Sequence, residues 1–189
     1  MEITAGKLKG MSLSSPDIHA PVRPTSVRAR QAFFDSLGDL TGKTFADLCA
    51  GSGAMGLEAL SRGAANVIFA EKDQASLHTI RKNIKRAERI LGEIPCYIAE
   101  GELPASCGRM LRFPKPDILF ADPPYAASAD ILPALTENAI FTDWAEGGKL
   151  YWEFPPANCA PLRPPAPPWK IAQIRNFGAV RFLILEVFR

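Results

Sequence analysis

Residues 45–73 read FADLCAGSGAMGLEALSRGAANVIFAEKD, and this stretch decides the fold. The run Thr44-Phe45-Ala46-Asp47-Leu48-Cys49 is apolar around a single acid, the pattern of a buried strand. It breaks into Ala50-Gly51-Ser52-Gly53-Ala54-Met55-Gly56, and a helix is expected from there to Arg62, stopped by Gly63. A second strand, Asn66 to Ala70, closes on Glu71. A Gly-x-Gly-x-x-Gly loop between strand and helix lets the backbone turn tightly and approach a ligand. A carboxylate at the tip of the next strand can accept from both hydroxyls of a ribose. Together these features predict a nucleoside-cofactor site on a doubly wound sheet.

The loop leaves two cofactors open, because NAD and S-adenosylmethionine both carry a ribose. Asp47 favours the second. It lies four residues before Gly51, where a pyrophosphate meets repulsion but a sulfonium or an ammonium does not. The cofactor contacts expected here are Asp47, Ala50, Gly51, Ser52, Gly53, Gly56, Glu71 and Lys72, with Asp122 at the end of a later strand.

Downstream, Leu77, Ile80, Ile84, Ala87 and Leu91 form one stripe of a helix from Gln74 to Leu91. Strands are expected at Cys96 to Ala99, in the run ending at Asp122, and at Lys149 to Glu153. Strands alternating with helices imply a parallel sheet covered on both faces. Residues 155–168 hold seven prolines and read as an extended loop. Lys170 to Arg175 and Val180 to Phe188 then read as an antiparallel hairpin on the sheet's edge. Upstream, residues 2–13, with Gly6 and Gly10, suggest a short hairpin, and Thr25 or Ser26 caps a helix to about Leu37.

Composition narrows the class. A chain of 189 residues suits one domain with a sizeable core. No stretch approaches the ~20 apolar residues of a membrane span, and the first residues lack the apolar core of a signal peptide, so a cytoplasmic protein is expected. The four cysteines form no Cys-x-x-Cys pair and the two histidines stand apart, which argues against a metal site and against disulfides. Net charge is only +2, but residues 1–34 carry Lys7, Lys9, Arg23, Arg28 and Arg30 against Glu2 and Asp17. That local excess of five over two is the electrostatic footprint of a nucleic-acid partner.

The second chemical motif is Asp122-Pro123-Pro124-Tyr125. Ligands of open α/β sheets sit beyond the carboxyl ends of the strands, so Asp122 faces the same crevice as Gly51. The exocyclic amine of a nucleobase is a poor nucleophile because its lone pair is delocalised into the ring. A carboxylate and a backbone carbonyl that accept its two N–H bonds orient it and favour a tetrahedral nitrogen. The proton lost on methyl transfer passes to Asp122 or through it to water. Tyr125 can stack on the base, which has to be turned out of any helix to reach this pocket.

The chain resembles the RsmD family, the guanine-N2 methyltransferases of small-subunit ribosomal RNA. Three blocks carry the resemblance: ITAGKLKGMSL with VRPTSVRARQAFFDSL, the cofactor stretch quoted first, and DILFADPPY; FGAVRFLILEV also resembles the family's last strand. The resemblance implies a seven-stranded, mostly parallel class I methyltransferase (Rossmann-like) α/β sheet with a C-terminal antiparallel hairpin and an N-terminal β-hairpin extension. It implies S-adenosylmethionine as cofactor, 16S ribosomal RNA in a partly assembled small subunit as partner, and a guanine N2 of the guanine-966 type as target. Residues 1–25 then form an RNA-contacting arm, with Lys7, Lys9, Arg23, Thr25 and Arg28 as contacts, and residues 26–189 the catalytic domain. Catalysis falls to Asp122, Pro123, Pro124 and Tyr125. The adenine amine falls to Glu100, with Glu102 as the alternative, since Glu100-Gly101-Glu102 stands where the family usually has Asp or Asn. Val27 and Gln31 also depart from the family's usual Asp and Glu.

Rival readings are a DNA adenine-N6 methyltransferase, an NAD-dependent oxidoreductase and a catalytically silent ribosome assembly protein. The first lacks room for a DNA-recognition domain. The second lacks a catalytic His or Lys at the crevice, and the third leaves Asp122 and Tyr125 without a purpose. The basic run Arg81-Lys82, Lys85-Arg86 and Arg89 reads as the solvated face of its helix.

Overall fold

The structure, a computed structural model, describes residues 1–16, 27–154, 161–177 and 180–188. Its strands are β1 (Thr44–Leu48), β2 (Asn66–Glu71), β3 (Cys96–Glu100), β4 (Ile118–Ala121), β5 (Lys149–Glu153), β6 (Trp169–Phe177) and β7 (Val180–Val187). Its helices are α1 (Val27–Leu37), α2 (Ala54–Ser61), α3 (Gln74–Leu91), α4 (Tyr125–Thr136) and α5 (Ala139–Ala145). All seven strands join one sheet in the order β3-β2-β1-β4-β5-β7-β6. β1 to β5 pair in parallel, and β7 pairs antiparallel with both β5 and β6. This is the class I methyltransferase sheet expected from the sequence.

β1 and β4 are buried along their whole length, as strands covered on both faces are. Successive residues alternate between two cores. Phe45, Phe69, Phe120, Tyr151 and Phe182 pack under α1, α2 and α3. Ala46, Ile68, Leu119, Leu150, Trp152 and Leu183 pack under α4 and α5. Phe33 of α1 sits at the centre of the first core, its ring 5.2 Å from those of Phe120 and Tyr151 and 5.6 Å from that of Phe182. In the second core Trp152 Nε1 donates to Ser128 Oγ (2.9 Å), which pins α4 to β5.

α4 and α5 were not assigned from the sequence. The reason is visible in α4, which carries Pro133 inside it and shows weak amphipathic contrast, so the 3.6-residue pattern is faint. α3 matches its expected bounds, and Asp73 caps it by accepting from Ser76 N at 2.7 Å.

The N-terminal hairpin is short. One antiparallel bridge joins Glu2 to Ser12 around a 3-10 turn at Gly6–Leu8. Ile3, Leu8, Met11 and Leu13 are buried in the first core, so this segment is packed on the sheet domain rather than extended from it. The Thr25 or Ser26 cap, the loop 14–26 beyond residue 16, and residues 155–160 of the proline-rich loop lie outside the described residues. Residues 161–168 contain no helix or strand. Among the described residues no helix is long and apolar enough to cross a membrane, and no cluster of His, Cys, Asp and Glu suits a metal ion.

Candidate active site

The parallel strands end in a row of acids. Register pairs Glu71 with Glu100, Leu48 with both Ala70 and Ala121, and Ala121 with Trp152. Along the carboxyl edge this places Glu100, Glu71, the glycine loop, Asp122 and Glu153 in spatial order. The crevice opens between β1 and β4, where the strand order reverses.

Each glycine of the loop has a separate physical reason. Gly51 and Gly53 adopt φ of +55° and +76°, the left-handed region that disfavours a side chain. A Cβ built on Gly51 meets nothing within 4 Å, so the space beside it is open to a ligand. Gly56 is helical, and a Cβ there falls 2.3 Å from Phe69 Cε1 and 2.8 Å from Val67 Cγ1. It lets α2 lie against β2.

Two acids hold this loop. Asp47 is buried, and its Oδ2 accepts from Gly56 N at 2.9 Å. Burial pushes its carboxyl well above the usual range; Gly56 N opposes this, while Glu71 and Asp122 add to it. Glu71 Oε2 accepts from Gly51 N (2.7 Å), and Oε1 accepts from Lys72 N (2.8 Å) and Asp73 N (2.9 Å). Three backbone donors therefore fix a carboxylate that offers about four acceptor sites. Glu71 and Asp122 lie close enough to Asp47 and to the Cys49 thiol to raise the proton affinity of both. That concentration of negative charge fits a cation such as a sulfonium and repels a pyrophosphate.

The outer acids are engaged elsewhere. Glu100 Oε1 accepts from Gln74 Nε2 (2.7 Å) and Oε2 from Arg81 Nη2 (3.0 Å), and these bonds hold its carboxyl below the usual value. Glu102 accepts from Lys72 Nζ at 2.6 Å, a bond that raises the lysine's proton affinity. Both acids stand at the β3 end of the crevice, and both are exposed or half-exposed.

Asp122 follows β4 directly. Pro123 is buried and Pro124 is exposed. The Pro124 carbonyl accepts from Ala127 N (2.9 Å) and Ser128 N (3.1 Å), which opens α4. Tyr125 is the first residue of that helix, so the motif is a strand-to-helix turn rather than a free tip. Ala50 and Ser52 sit in the loop, Ala50 N donating to Ala70 O at 3.0 Å. Of the arm residues, Lys7 and Lys9 are exposed on the 3-10 turn and its cap, and Arg28 is exposed in the first turn of α1. Arg23 and Thr25 lie outside the described residues.

Asn83 and Glu58 escaped the sequence reading, and Arg30 and Cys49 sit in surroundings that it did not foresee. Asn83 is fully buried on α3; its Nδ2 donates to Ser52 O and to Ser14 O, both at 3.0 Å, and its Oδ1 accepts from Ser14 N at 2.9 Å. It ties the glycine loop to the N-terminal segment. An amide among the apolar stripe positions Ile80, Ile84 and Ala87 was the available signal. Glu58 of α2 is fully buried and accepts from Thr4 N (2.9 Å), Thr4 Oγ1 (2.6 Å), Ala5 N (3.1 Å) and Arg62 Nε (3.0 Å). Arg30 Nε lies 3.4 Å from Glu58 Oε2, with only 1% of its side chain exposed. Arg30 is thus an internal counter-ion, and the arm's basic surface is smaller by one charge than the sequence suggested. Cys49 follows β1 at φ +62°, and burial, followed by Glu71, Asp47 and Asp122, pushes its thiol up to about 12.

A family model described as conserved hypothetical protein 95 matches residues 1–184. YlbH of Bacillus subtilis is 34% identical over 127 residues, 66% of this chain and 67% of that protein. Ribosomal RNA small subunit methyltransferase D of Escherichia coli K12 is 27% identical over 194 residues, 98% of this chain and 89% of that protein. Among solved structures, a hypothetical protein of Thermus thermophilus superposes with a TM-score of 0.73 at 26% identity, covering 99% of both chains.

Proposed function

This chain belongs to the conserved hypothetical protein 95 family, the RsmD family, and on that footing we propose that it transfers a methyl group from S-adenosylmethionine to the exocyclic N2 of a guanine in small-subunit ribosomal RNA. The observation that carries the chemistry is the placement of Asp122, at the end of β4, beside the acid-bound glycine loop at the end of β1. The relatives named above support ribosomal RNA as the substrate class.

Gly51, Gly53 and Glu71 hold the adenosine half of the cofactor, with Glu100 or Glu102 beyond it at the adenine. Ala50, Ser52, Gly56 and Lys72 complete the cradle, and Asp47 faces the positive methionine end. When bound, S-adenosylmethionine supplies an electrophilic sulfonium methyl that needs no further activation. The chain's own task is therefore in-line positioning. Asp122 and the Pro123 carbonyl accept the two N–H bonds of the guanine amine. The amine nitrogen would take the methyl carbon from the bound sulfonium, and the electron pair of the broken C–S bond would stay with the departing thioether. The nitrogen's extra proton leaves to Asp122 or through it to water. Pro124 turns the chain into α4, and Tyr125 stacks on the base. Lys7, Lys9, Arg23, Thr25 and Arg28 hold the RNA backbone without reading its sequence. The partly assembled subunit and the guanine-966 type of target belong to the same reading.

The test uses radiolabelled S-adenosylmethionine with undermethylated small subunits, free ribosomal RNA and genomic DNA, followed by nucleoside identification. Label is expected in N2-methylguanosine and lost in Asp122→Ala, which still binds cofactor. Label in N6-methyladenine of DNA, or in no nucleic acid, overturns the proposal.

A further inference from the structure

Glu153 ends β5 and is only 6% exposed. Its register is informative. Ala121 pairs with Trp152, so the next level along the two strands carries Asp122 and Glu153. Alternation gives their faces: Phe120 and Tyr151, two positions earlier, both lie in the first core, and Phe182, opposite Glu153, does as well. Asp122 and Glu153 therefore project from the same face of neighbouring strands, which run about 5 Å apart. α1 covers that face through Phe33, and its first turn carries the exposed Arg28. The cofactor acids Glu71 and Glu100 lie on the opposite side of Asp122, over β2 and β3. A base whose amine meets Asp122 lies with the rest of its hydrogen-bonding edge over β5.

We infer that Glu153 is a specificity-determining residue that reads the guanine N1–H beside the N2 amine held by Asp122. The inference rests on the guanine-N2 reading above and deepens it. Guanine presents N1–H and N2–H donors side by side, and two adjacent carboxylates accept both. Adenine presents a donor amine beside the bare N1 lone pair. A carboxylate facing that lone pair repels it, so the pair of acids selects for guanine and against adenine. A flipped base is read along this Watson–Crick edge. Discrimination is large when a site built to accept from a base's N–H meets a lone pair instead.

The test replaces guanine by 2-aminopurine, which keeps the N2 amine but has a bare N1. Small subunits are reconstituted with either base at the nucleotide that the wild-type protein methylates. Values of kcat/KM are compared for wild type, Glu153→Gln and Glu153→Asp, with S-adenosylmethionine affinity and thermal unfolding measured alongside. Wild type is expected to prefer guanine by about a thousandfold. In Glu153→Gln, whose amide can donate to a bare N1, that ratio falls at least tenfold while cofactor affinity is unchanged. Glu153→Asp keeps the charge and the guanine preference at a lower rate. A ratio unchanged in Glu153→Gln, whatever happens to the absolute rate, overturns the inference and leaves the guanine reading standing. Wild type that labels no guanine in any subunit overturns both.

Discussion

Glu58→Ala is expected to cost the fold about 3–5 kcal/mol, the range for removing one partner of a buried ion pair. Its carboxylate accepts four hydrogen bonds and faces the Arg30 guanidinium, which is 1% exposed. Truncation strands that guanidinium, already disfavoured by burial, beside the positive charge of Arg62. It also unpairs the amides of Thr4 and Ala5. The four lost hydrogen bonds, at ~1–3 kcal/mol each, do not add in full, because the N-terminal segment can swing outward and hydrate its amides. For a chain of this length the loss lowers Tm by roughly 6–20 °C. Denaturant unfolding measures it directly, with an unchanged slope expected if the unfolded state is unaffected. Arg30→Met combined with Glu58→Leu removes both charges and is expected to recover most of the loss. A loss below about 1 kcal/mol for Glu58→Ala, or a double variant no better than the single one, refutes the reasoning.

Gly56→Ala puts a methyl 2.3 Å from Phe69 Cε1, so α2 has to lift from β2. A loss of about 1–3 kcal/mol is expected, together with at least tenfold weaker S-adenosylmethionine binding by calorimetry. Asp47 has its carboxyl raised in the folded state, so its contribution to stability is complete below the unfolded value and declines as pH rises towards the folded one. Asp47→Asn is therefore expected to raise Tm at neutral pH, with the gain fading towards pH 4, while cofactor affinity falls. Differential scanning calorimetry across that range checks the sign. Cys49, pushed up to about 12 from 9.0, holds roughly a thousandfold less thiolate than an unshifted thiol. Its alkylation by iodoacetamide at pH 8, resolved by peptide mass spectrometry, is expected to be slower by that factor; labelling at the free-thiol rate contradicts the assignment.

The strands, the glycine loop and the order of acids along the crevice were legible because each is a local pattern. A buried parallel strand is a short apolar run, and Gly51 and Gly56 are demanded by backbone geometry and by contact with Phe69. The row from Glu71 to Asp122 follows once the strand order is known. What was not legible depends on distant contacts. Glu58 reads as an ordinary helix acid until residues 3–13 fold across α2 and bury it. Arg30 counted as surface charge for the same reason. Glu153 was noticed only as the end of a strand, because its meaning lies in the register between β4 and β5. α4 was hidden by Pro133 and by apolar residues around most of its circumference.

The N-terminal segment also sets a schedule. Thr4 leaves the ribosome 54 residues before Glu58, and Ser14 leaves 69 residues before Asn83. At about 5–20 residues per second, Ser14 waits some 3–14 s for its partner. Through that interval Ile3, Leu8, Met11 and Leu13 have no surface of their own to bury against. The part of this protein made early is completed late, and the nascent chain carries exposed apolar side chains until α3 has been synthesised.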